Sequence, residues 1–555
     1  MVSMKQPKIL LGLIVFFGFF LRIFFLGTIP QGFTPDEASQ AYSAYSLLKT
    51  GKDEWGVAWP VTSFRSFLDY KAPLQTYLMV PSIAIFGLNE FAARLPSALF
   101  GTLAILAIYF LTNEIFGHQE IGLLAALFLA ISPWHLQFSR TALEVNLASF
   151  LFPLGLYFFL KGQKNPQYFI YTAFLWGLSL YSYHAAKIFV PLFALTLIII
   201  YRKQIFHSGL RKIIAPIFIT LIFSLPLFFS SLFSSAGKRG GDLLLTNLSG
   251  EQMSELNNQI FYSPLQKISP IIPRIFHNRF VYDLSSFTEN YVSYFTPSFW
   301  FTEGGREITY SVIPGRGLLY FWMLPLIFWG LFNLLRKPDL KKTLLVILPW
   351  LLLAAIPAAL TKEGYRPNRA GSFALLWEML AAYGLWALLQ INFLRQKYIV
   401  ISFLTIASLL TIFYFEDYAF NSFVKYPLSM SYGWRDALKY VKSVEKMYNT
   451  VMISQGNQPQ SFVAFYLQID PKRFQYWSNN WTHLIERQGN VKYLDQLGKY
   501  NLDKFDFEIL NWPEDRNKTT LYVSPPNPLL PKDRNVLHQV VIPNGEALEV
   551  FDFNK

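Results

Sequence analysis

The chain has 555 residues, of which 53% are hydrophobic, 18% aromatic and only 15% charged. Soluble domains carry about 25% charged residues, so this deficit excludes an ordinary soluble enzyme and a disordered chain. The formal net charge is +13, but Lys and Arg sit in short clusters between long apolar runs, a membrane-topology pattern rather than a nucleic-acid face.

A membrane helix needs about 20 mostly apolar residues. The first candidate, Ile9 to Leu26, follows Lys5 and Lys8 and lacks a small-residue cleavage pattern. It therefore reads as a retained helix with a cytosolic N-terminus. Further candidates lie at 95–116, 121–136, 145–160, 167–183, 188–201, 213–233, 317–334, 343–360, 372–391 and 397–415. The basic connectors Lys161 to Lys164, Arg202 to Lys212, Arg336 to Lys342 and Arg395 to Lys397 should be cytosolic. The stretches 181–187, 234–316 and 361–371 should then lie outside. The run Lys71 to Phe86 is apolar but short and contains Pro73 and Pro81. It reads as interfacial, which leaves 121–136 to span. The total is about eleven spanning helices, in a membrane region 1–415 with a first external loop at 28–90 and a large one at 234–316.

After residue 416 the composition turns polar and turn-rich. Trp434 to Lys446 reads as an amphipathic helix. Thr450 to Ser454, Thr519 to Val523, Leu537 to Ile542 and Ala547 to Phe551 read as strands. Residues 416–555 are thus expected to form a soluble α/β domain, outside the membrane by parity. No internal repeat is visible. There are no cysteines, so disulfides and thiolate chemistry are excluded. The triplets at Asn247, Asn480 and Asn517 are short enough to arise by chance.

Candidate chemistry gathers in the external segments. Thr34-Pro-Asp-Glu37 has a good N-cap, a Pro for the first helical position and a Glu that closes a capping box. The same residues can serve as a carboxylate pair at the membrane surface, one member accepting a proton from a hydroxyl. That pair could also hold a divalent metal, although no ligand constellation is clear. Lys71 either snorkels or offers a point charge to a phosphate. Arg140 and Glu144 stand at i,i+4 spacing, usually a structural pair. Arg22 and Glu378 fall inside predicted spans, where charges face a partner or a cavity; Arg22 can alternatively snorkel outward. Tyr183, His184 and Lys187 end one span on the outer side, and Arg366 and Arg369 end another. The arginines suit a phosphate or an interfacial anchor equally. Lys238, Arg239, Arg274, Arg279 and Arg306 add basic charge to an aromatic loop, suited to a lipid-linked anionic sugar. No nucleotide-binding fingerprint, zinc-protease motif or serine-hydrolase elbow is present.

These residues resemble a family. Asp36-Glu37 soon after the first helix, Tyr70-Lys-Ala-Pro-Leu74, Arg94-Leu-Pro96, Ser139-Arg-Thr-Ala-Leu-Glu144 and Leu360-Thr-Lys-Glu-Gly364 with Arg369 are similar to GT-C fold glycosyltransferases. The resemblance is to the protein O-mannosyltransferases and lipid A aminoarabinose transferases. It runs well over residues 1–200, more loosely over 285–390, and not into the C-terminal domain. It implies a GT-C-like polytopic helical membrane protein of about 11 to 13 membrane helices. The implied donor is a polyprenyl-phosphate-linked sugar and the implied reaction is transfer to an acceptor hydroxyl of protein, lipid or glycan outside the membrane. Carried over by position, Asp36 is the catalytic base and Glu37 its acidic neighbour. Lys71, with Arg366 and Arg369, contacts the donor phosphate, and Arg140, Glu144, Tyr183 and Lys187 lie by the cavity. Ala72 replaces a common Pro, and Pro367 and Asn368 stand where relatives often have a His, so donor and acceptor details differ. The plasma membrane is the expected location. A competing class is a transporter or flippase of lipid-linked sugar, against which stands the lack of repeated halves.

Overall fold

The computed structural model describes residues 6–554 except 208, 306–312, 314–315, 363, 374, 392–395, 426–429, 490, 492, 510–516, 528 and 543–544. Arg306 and Arg395 therefore lie outside the described residues, as do the side chains of Arg239 and Lys397.

The first half of the chain runs α1 (Pro7–Ile23), α2 (Pro35–Thr50), β1 (Phe64–Ser66), β2 (Asp69–Lys71), α3 (Pro73–Phe86), α4 (Glu90–Phe116), α5 (Gln119–Ile131), α6 (Pro133–Arg140), α7 (Val145–Gly162), α8 (Phe169–Ser179) and α9 (Ala186–Ile200). Further apolar helices follow at Leu210–Phe233, Met323–Arg336, Lys341–Ala354, Leu376–Leu389 and Gln396–Glu416. Among the described residues, six helices are long and apolar enough to cross a membrane, or seven if the bent pair α5–α6 is one span. The other predicted spans form shorter helices, among them α1, α8, α9 and Met323–Arg336. The 14-residue α3 is likewise too short to cross unaided. The chain is a multi-pass membrane protein. Its lipid-facing flank is exposed apolar surface, most plainly on the helix over Leu210–Phe233.

The 58° bend between α5 and α6 falls at Ser132-Pro133. Proline cannot donate into the helix ladder, so at the end of α5 the Leu129 carbonyl keeps only the Ser132 amide at 3.3 Å, and the Trp134 amide is turned away to the Leu318 carbonyl. In a bilayer such groups must be satisfied internally. Arg22 does this. It is fully buried, and its guanidinium donates to the carbonyls of Leu129 and Ala130 at 3.1 Å and Gly18 at 2.9 Å. It also lies 2.7 Å from His135 Nδ1. A cation at a helix C-terminus additionally meets the negative end of the macrodipole. The outward snorkel open to Arg22 from sequence is thus not adopted. Glu378 faces the other side of the same break and accepts from Ser132 Oγ at 2.7 Å and Trp134 Nε1 at 2.9 Å.

The C-terminal part contains helices at Trp434–Val444, Pro459–Leu467 and Pro471–Gln488. With them stand strands β3 (Thr450–Ser454), β4 (Lys499–Leu502), β5 (Phe505–Glu508), β6 (Thr520–Ser524), β7 (Asn535–Ile542) and β8 (Gly545–Asp552). They form one six-stranded sheet in the order β4-β5-β3-β6-β8-β7. β3 pairs in parallel with both β5 and β6, and the remaining pairs are antiparallel. The predicted β3 has its expected ends. β4, β5 and the helices at 459–467 and 471–488 were not anticipated.

The apolar core of this sheet does not stop at the sheet. Phe33, Ala38, Ala41 and Tyr42 belong to the same buried cluster as Phe462, Phe465, Phe474 and Val451. The Phe33 and Phe465 rings pack tilted with centroids 4.7 Å apart, and Tyr42 and Phe474 likewise at 5.0 Å. The Tyr42 hydroxyl donates to the Ile469 carbonyl at 2.7 Å. Arg435 adds an ion pair to Glu90 at 2.6 Å. Gly32, with φ +94°, turns the chain directly beneath the Met430 backbone, where any Cβ would collide. The α/β layer is therefore clamped onto the loop that follows α1.

Candidate active site

The site is built on the first turn of α2. Thr34 caps the helix: its Oγ1 accepts from the Glu37 amide at 3.2 Å, and its own amide donates to Glu37 Oε2 at 3.0 Å. This is the capping box expected from Thr34, Pro35 and Glu37. The box is tied to the bundle by Arg94 of α4. Arg94 Nε donates to Glu37 Oε1 at 2.9 Å and Nη2 to Oε2 at 3.3 Å. The remaining Arg94 hydrogens go to the carbonyls of Leu26, Pro30 and Gly32 at 3.3, 3.0 and 2.7 Å. The Ala142 amide also donates to Glu37 Oε1, at 2.9 Å.

Glu37 is fully buried with donors on both oxygens. Its lone pairs are committed to protein donors, so it does not fit the shared metal ligation with Asp36 raised from sequence. Among the described residues no group of three His, Cys, Asp or Glu is placed to hold a metal.

Asp36, the neighbouring residue, points the other way. Its Oδ1 lies 2.8 Å from Lys71 Nζ, at the end of the β1–β2 hairpin. Lys71 also pairs with Asp69 at 2.9 Å and stands over the Phe67 ring at 5.5 Å. Burial works against the Asp69 charge, but Lys71 and the Tyr70 amide, with His184, together hold that carboxyl below its ordinary value. Glu144, the residue before α7, closes the group by accepting from the Ala72 amide at 3.3 Å. Burial pushes the Glu144 carboxyl up to about 7; Lys71 opposes the rise, while Asp36 and Asp69 add to it. Three carboxylates thus surround one ammonium at the end of the bundle.

Lys187 and His184 extend the cluster. Lys187 Nζ lies 3.3 Å from His184 Nδ1, and His184 Nε2 lies 2.9 Å from the Tyr70 carbonyl. Tyr183 sits half-buried beside them against the membrane core. Arg366 and Arg369 occupy the turn that leads into residues 369–373, which pack against the first turns of α7. Arg369 Nη1 donates to Thr361 Oγ1 at 2.7 Å, and the Arg366 amide donates to the Tyr294 hydroxyl at 3.2 Å.

Arg140 does not join this group. Helix α6 ends there, with Thr141 already extended at φ −116°, so the expected i,i+4 pairing with Glu144 does not form. Its guanidinium instead takes the carbonyls of Leu21, Phe24 (2.7 Å) and Ile29 (3.0 Å) after α1. Arg22, Arg94 and Arg140 therefore stitch backbone around breaks in α1 and α5. The cation paired with Asp36 is Lys71, and Lys187 lies within electrostatic reach of Glu144. Arg94 was legible from sequence only as part of an Arg-Leu-Pro motif; a charged residue in an otherwise apolar helix was the available signal.

The Glu144 carboxyl gives a pH signature. Its folded value is raised above the ordinary 4.5, so between about 4.5 and 7 the folded chain binds more protons than the unfolded one. Stability from this group falls as pH rises through that window, with a full shift on the order of 3 kcal/mol. Glu144→Gln keeps the oxygen that accepts from Ala72. It is expected to raise the detergent melting temperature at pH 8 and leave it unchanged at pH 4.5; equal shifts at both pH values would refute the assignment.

An apolar helix bundle with a charged cluster at one end, roofed by an α/β layer, defines the class: a membrane protein of the GT-C glycosyltransferase fold. Two solved structures share it. ArnT from Cupriavidus metallidurans, solved bound to undecaprenyl phosphate, is 13% identical, with 99% of this chain and 98% of that one covered at a TM-score of 0.51. The oligosaccharyltransferase AglB from Archaeoglobus fulgidus, solved with an inhibitory peptide and a dolichol-phosphate, is 16% identical at a TM-score of 0.50. That match covers 82% of this chain, which spans only 63% of the archaeal enzyme's length. The family model of dolichyl-phosphate-mannose-protein mannosyltransferases matches residues 70–229, a stretch that begins at Tyr70-Lys71. The comparison with curated proteins returned no match. The resemblance to GT-C glycosyltransferases drawn from the sequence is borne out.

Proposed function

We propose that the chain is an integral membrane glycosyltransferase. It moves a sugar from a polyprenyl-phosphate donor to an acceptor hydroxyl, with inversion at the anomeric carbon, on the outer face of the plasma membrane. The observation that carries this reading is the 2.8 Å pair of Asp36 and Lys71 on a rigid helix start at the mouth of an apolar bundle. The lipid phosphates bound by the two solved relatives support the donor class. The basic connectors support a cytoplasmic N-terminus and an outer α/β domain.

Each residue's part follows from charge. The leaving group is a lipid phosphate, and Lys71 stabilises its growing negative charge, with Arg366 and Arg369 on the same donor. The anomeric carbon becomes oxocarbenium-like, and the acceptor oxygen attacks from the opposite face. Asp36 takes the hydroxyl proton. Before the donor arrives, Lys71 holds Asp36 in an ion pair. A donor phosphate competes for that ammonium and leaves Asp36 with a lone pair to offer, which couples base activation to donor binding. Glu37 acts through Asp36 as a positioning residue, because Arg94 and the capping box fix the turn that carries both. Glu144, Tyr183 and Lys187 line the approach.

The reading is tested in proteoliposomes containing labelled polyprenyl-phosphate sugar and a supplied acceptor. Transfer without movement of the lipid between leaflets is expected; movement without transfer would make the chain a flippase. Within that assay, Lys71→Ala is expected to raise the donor KM about ten- to hundred-fold, the worth of a charged hydrogen bond, and the acceptor KM much less. An unchanged donor KM would remove Lys71 from the phosphate.

A further inference from the structure

We infer that residues 271–284, within the loop between the apolar helices Leu210–Phe233 and Met323–Arg336, form a second membrane anchor. It lies in the headgroup layer of the leaflet on the Asp36 side of the bilayer. Helix Arg279–Ser293 carries Phe280, Leu284, Phe287 and Tyr291 at spacings of four, three and four, which places them on one face. The far end of that stripe is fixed: Tyr291 stacks on Phe287 at 5.8 Å, and its hydroxyl donates to the Leu352 carbonyl at 2.8 Å. Leu352 belongs to a candidate membrane span, Pro338–Ala359, and on that span Leu345, Leu348 and Leu352 are 41–45% exposed. The stripe therefore begins on the lipid-facing flank of the bundle and continues it.

Among the described residues the near end is held only at its polar edge, where Arg279 donates to the Thr246 carbonyl, and its apolar side chains stay largely exposed. Phe280 is 73% exposed and Leu284 52%, and no residue of Arg279–Ser293 is buried. The preceding turn adds Ile271, Ile275 and Phe276, exposed at 66, 59 and 59%. So much contiguous apolar surface would be costly in water. Exposed Arg274 borders it, as expected where a basic side chain reaches from an apolar face to lipid phosphates, and Arg279, tied to the Thr246 carbonyl and Asp283, adds a second cation at the same edge. An amphipathic segment with one end pinned to a spanning helix and a basic fringe fits the bilayer interface. The placement is independent of the proposed reaction, since it concerns depth alone. It has a consequence for the site, because the same helix reaches the Arg366 turn: Asn290 Nδ2 donates to the Thr361 carbonyl at 2.9 Å, and the following Tyr294 hydroxyl accepts from the Arg366 amide. The anchor holds that turn at the depth of lipid phosphates.

The absence of cysteine in the sequence makes the test direct. Phe280→Cys and Leu284→Cys are each labelled with a nitroxide in the full chain, in nanodiscs of phosphatidylcholine and phosphatidylglycerol. Relaxation by oxygen is compared with relaxation by a water-soluble nickel chelate. Phe228→Cys on the lipid-facing helix and Tyr476→Cys on the α/β layer give the lipid and water references, both being exposed positions. Oxygen-dominated relaxation at both 280 and 284, shifted toward the Phe228 reference, is expected. Chelate-dominated relaxation at either position, matching the Tyr476 reference, overturns the inference.

Discussion

Asp36→Asn is expected to lose sugar transfer by a factor of roughly 10² to 10⁴, the usual worth of a general base, while the protein stays folded. The amide cannot take the acceptor proton at neutral pH. The fold should survive because Asp36 carries little of it: the α2 cap is made by Thr34 and Glu37, and Lys71 keeps its second partner, Asp69, at 2.9 Å. Donor binding should be retained or improved, since Lys71 is released from one carboxylate. The measurement is single-turnover transfer on detergent-purified protein with an unaltered size-exclusion profile. Near-wild-type turnover would remove Asp36 from the chemistry.

The second large effect is structural. Arg94→Met should destabilise the chain by about 3–5 kcal/mol, the cost of leaving one member of a buried pair without its counter-charge. Glu37 would keep its amide donors but lose the only cation paired with it among the described residues, and the carbonyls of Leu26, Pro30 and Gly32 would lose theirs. The double variant Glu37→Gln, Arg94→Met removes the stranded charge and should recover part of the loss. Survival after heating in detergent, read by size exclusion, checks both variants. A single variant as heat-resistant as the wild type would mean that the pair does not hold the turn. Asp36→Asn and Arg94→Met thus separate a residue that reacts from one that positions.

Much of this was legible in the sequence because it is local. A cap, a Pro and a Glu three residues later dictate a helix start, and α2 begins where Thr34 says it should. The bundle follows from apolar runs, and β3 from a short β-branched stretch bounded by turns. What was not legible depends on distant partners. Arg22 looked like a charge in need of a partner, Arg94 like part of an Arg-Leu-Pro motif, and Arg140 like half of an i,i+4 pair. The explanation is backbone carbonyls freed by chain breaks, and for Arg22 those lie more than a hundred positions away. The spacing of Arg140 and Glu144 suggested a pair only if one helix held both, and α6 ends between them. Strands β4 and β5 are four residues each, too short to announce a period of two against their polar surroundings.

The shared core between α2 and the α/β layer also sets an order of events. The segment bearing Asp36 is synthesised well before its partner: Tyr42 finds its hydrogen-bond acceptor 427 positions later. Until the helices at 459–467 and 471–488 have emerged, the underside of α2 has nothing to close against. Contacts of such sequence separation form slowly because the intervening chain must first be ordered. Insertion of the bundle into the bilayer can precede this closure, but burial of that face of α2 cannot. The protein therefore carries a built-in delay: the helix that bears Asp36 is closed on its second side only late in folding, when the bundle is already in the membrane.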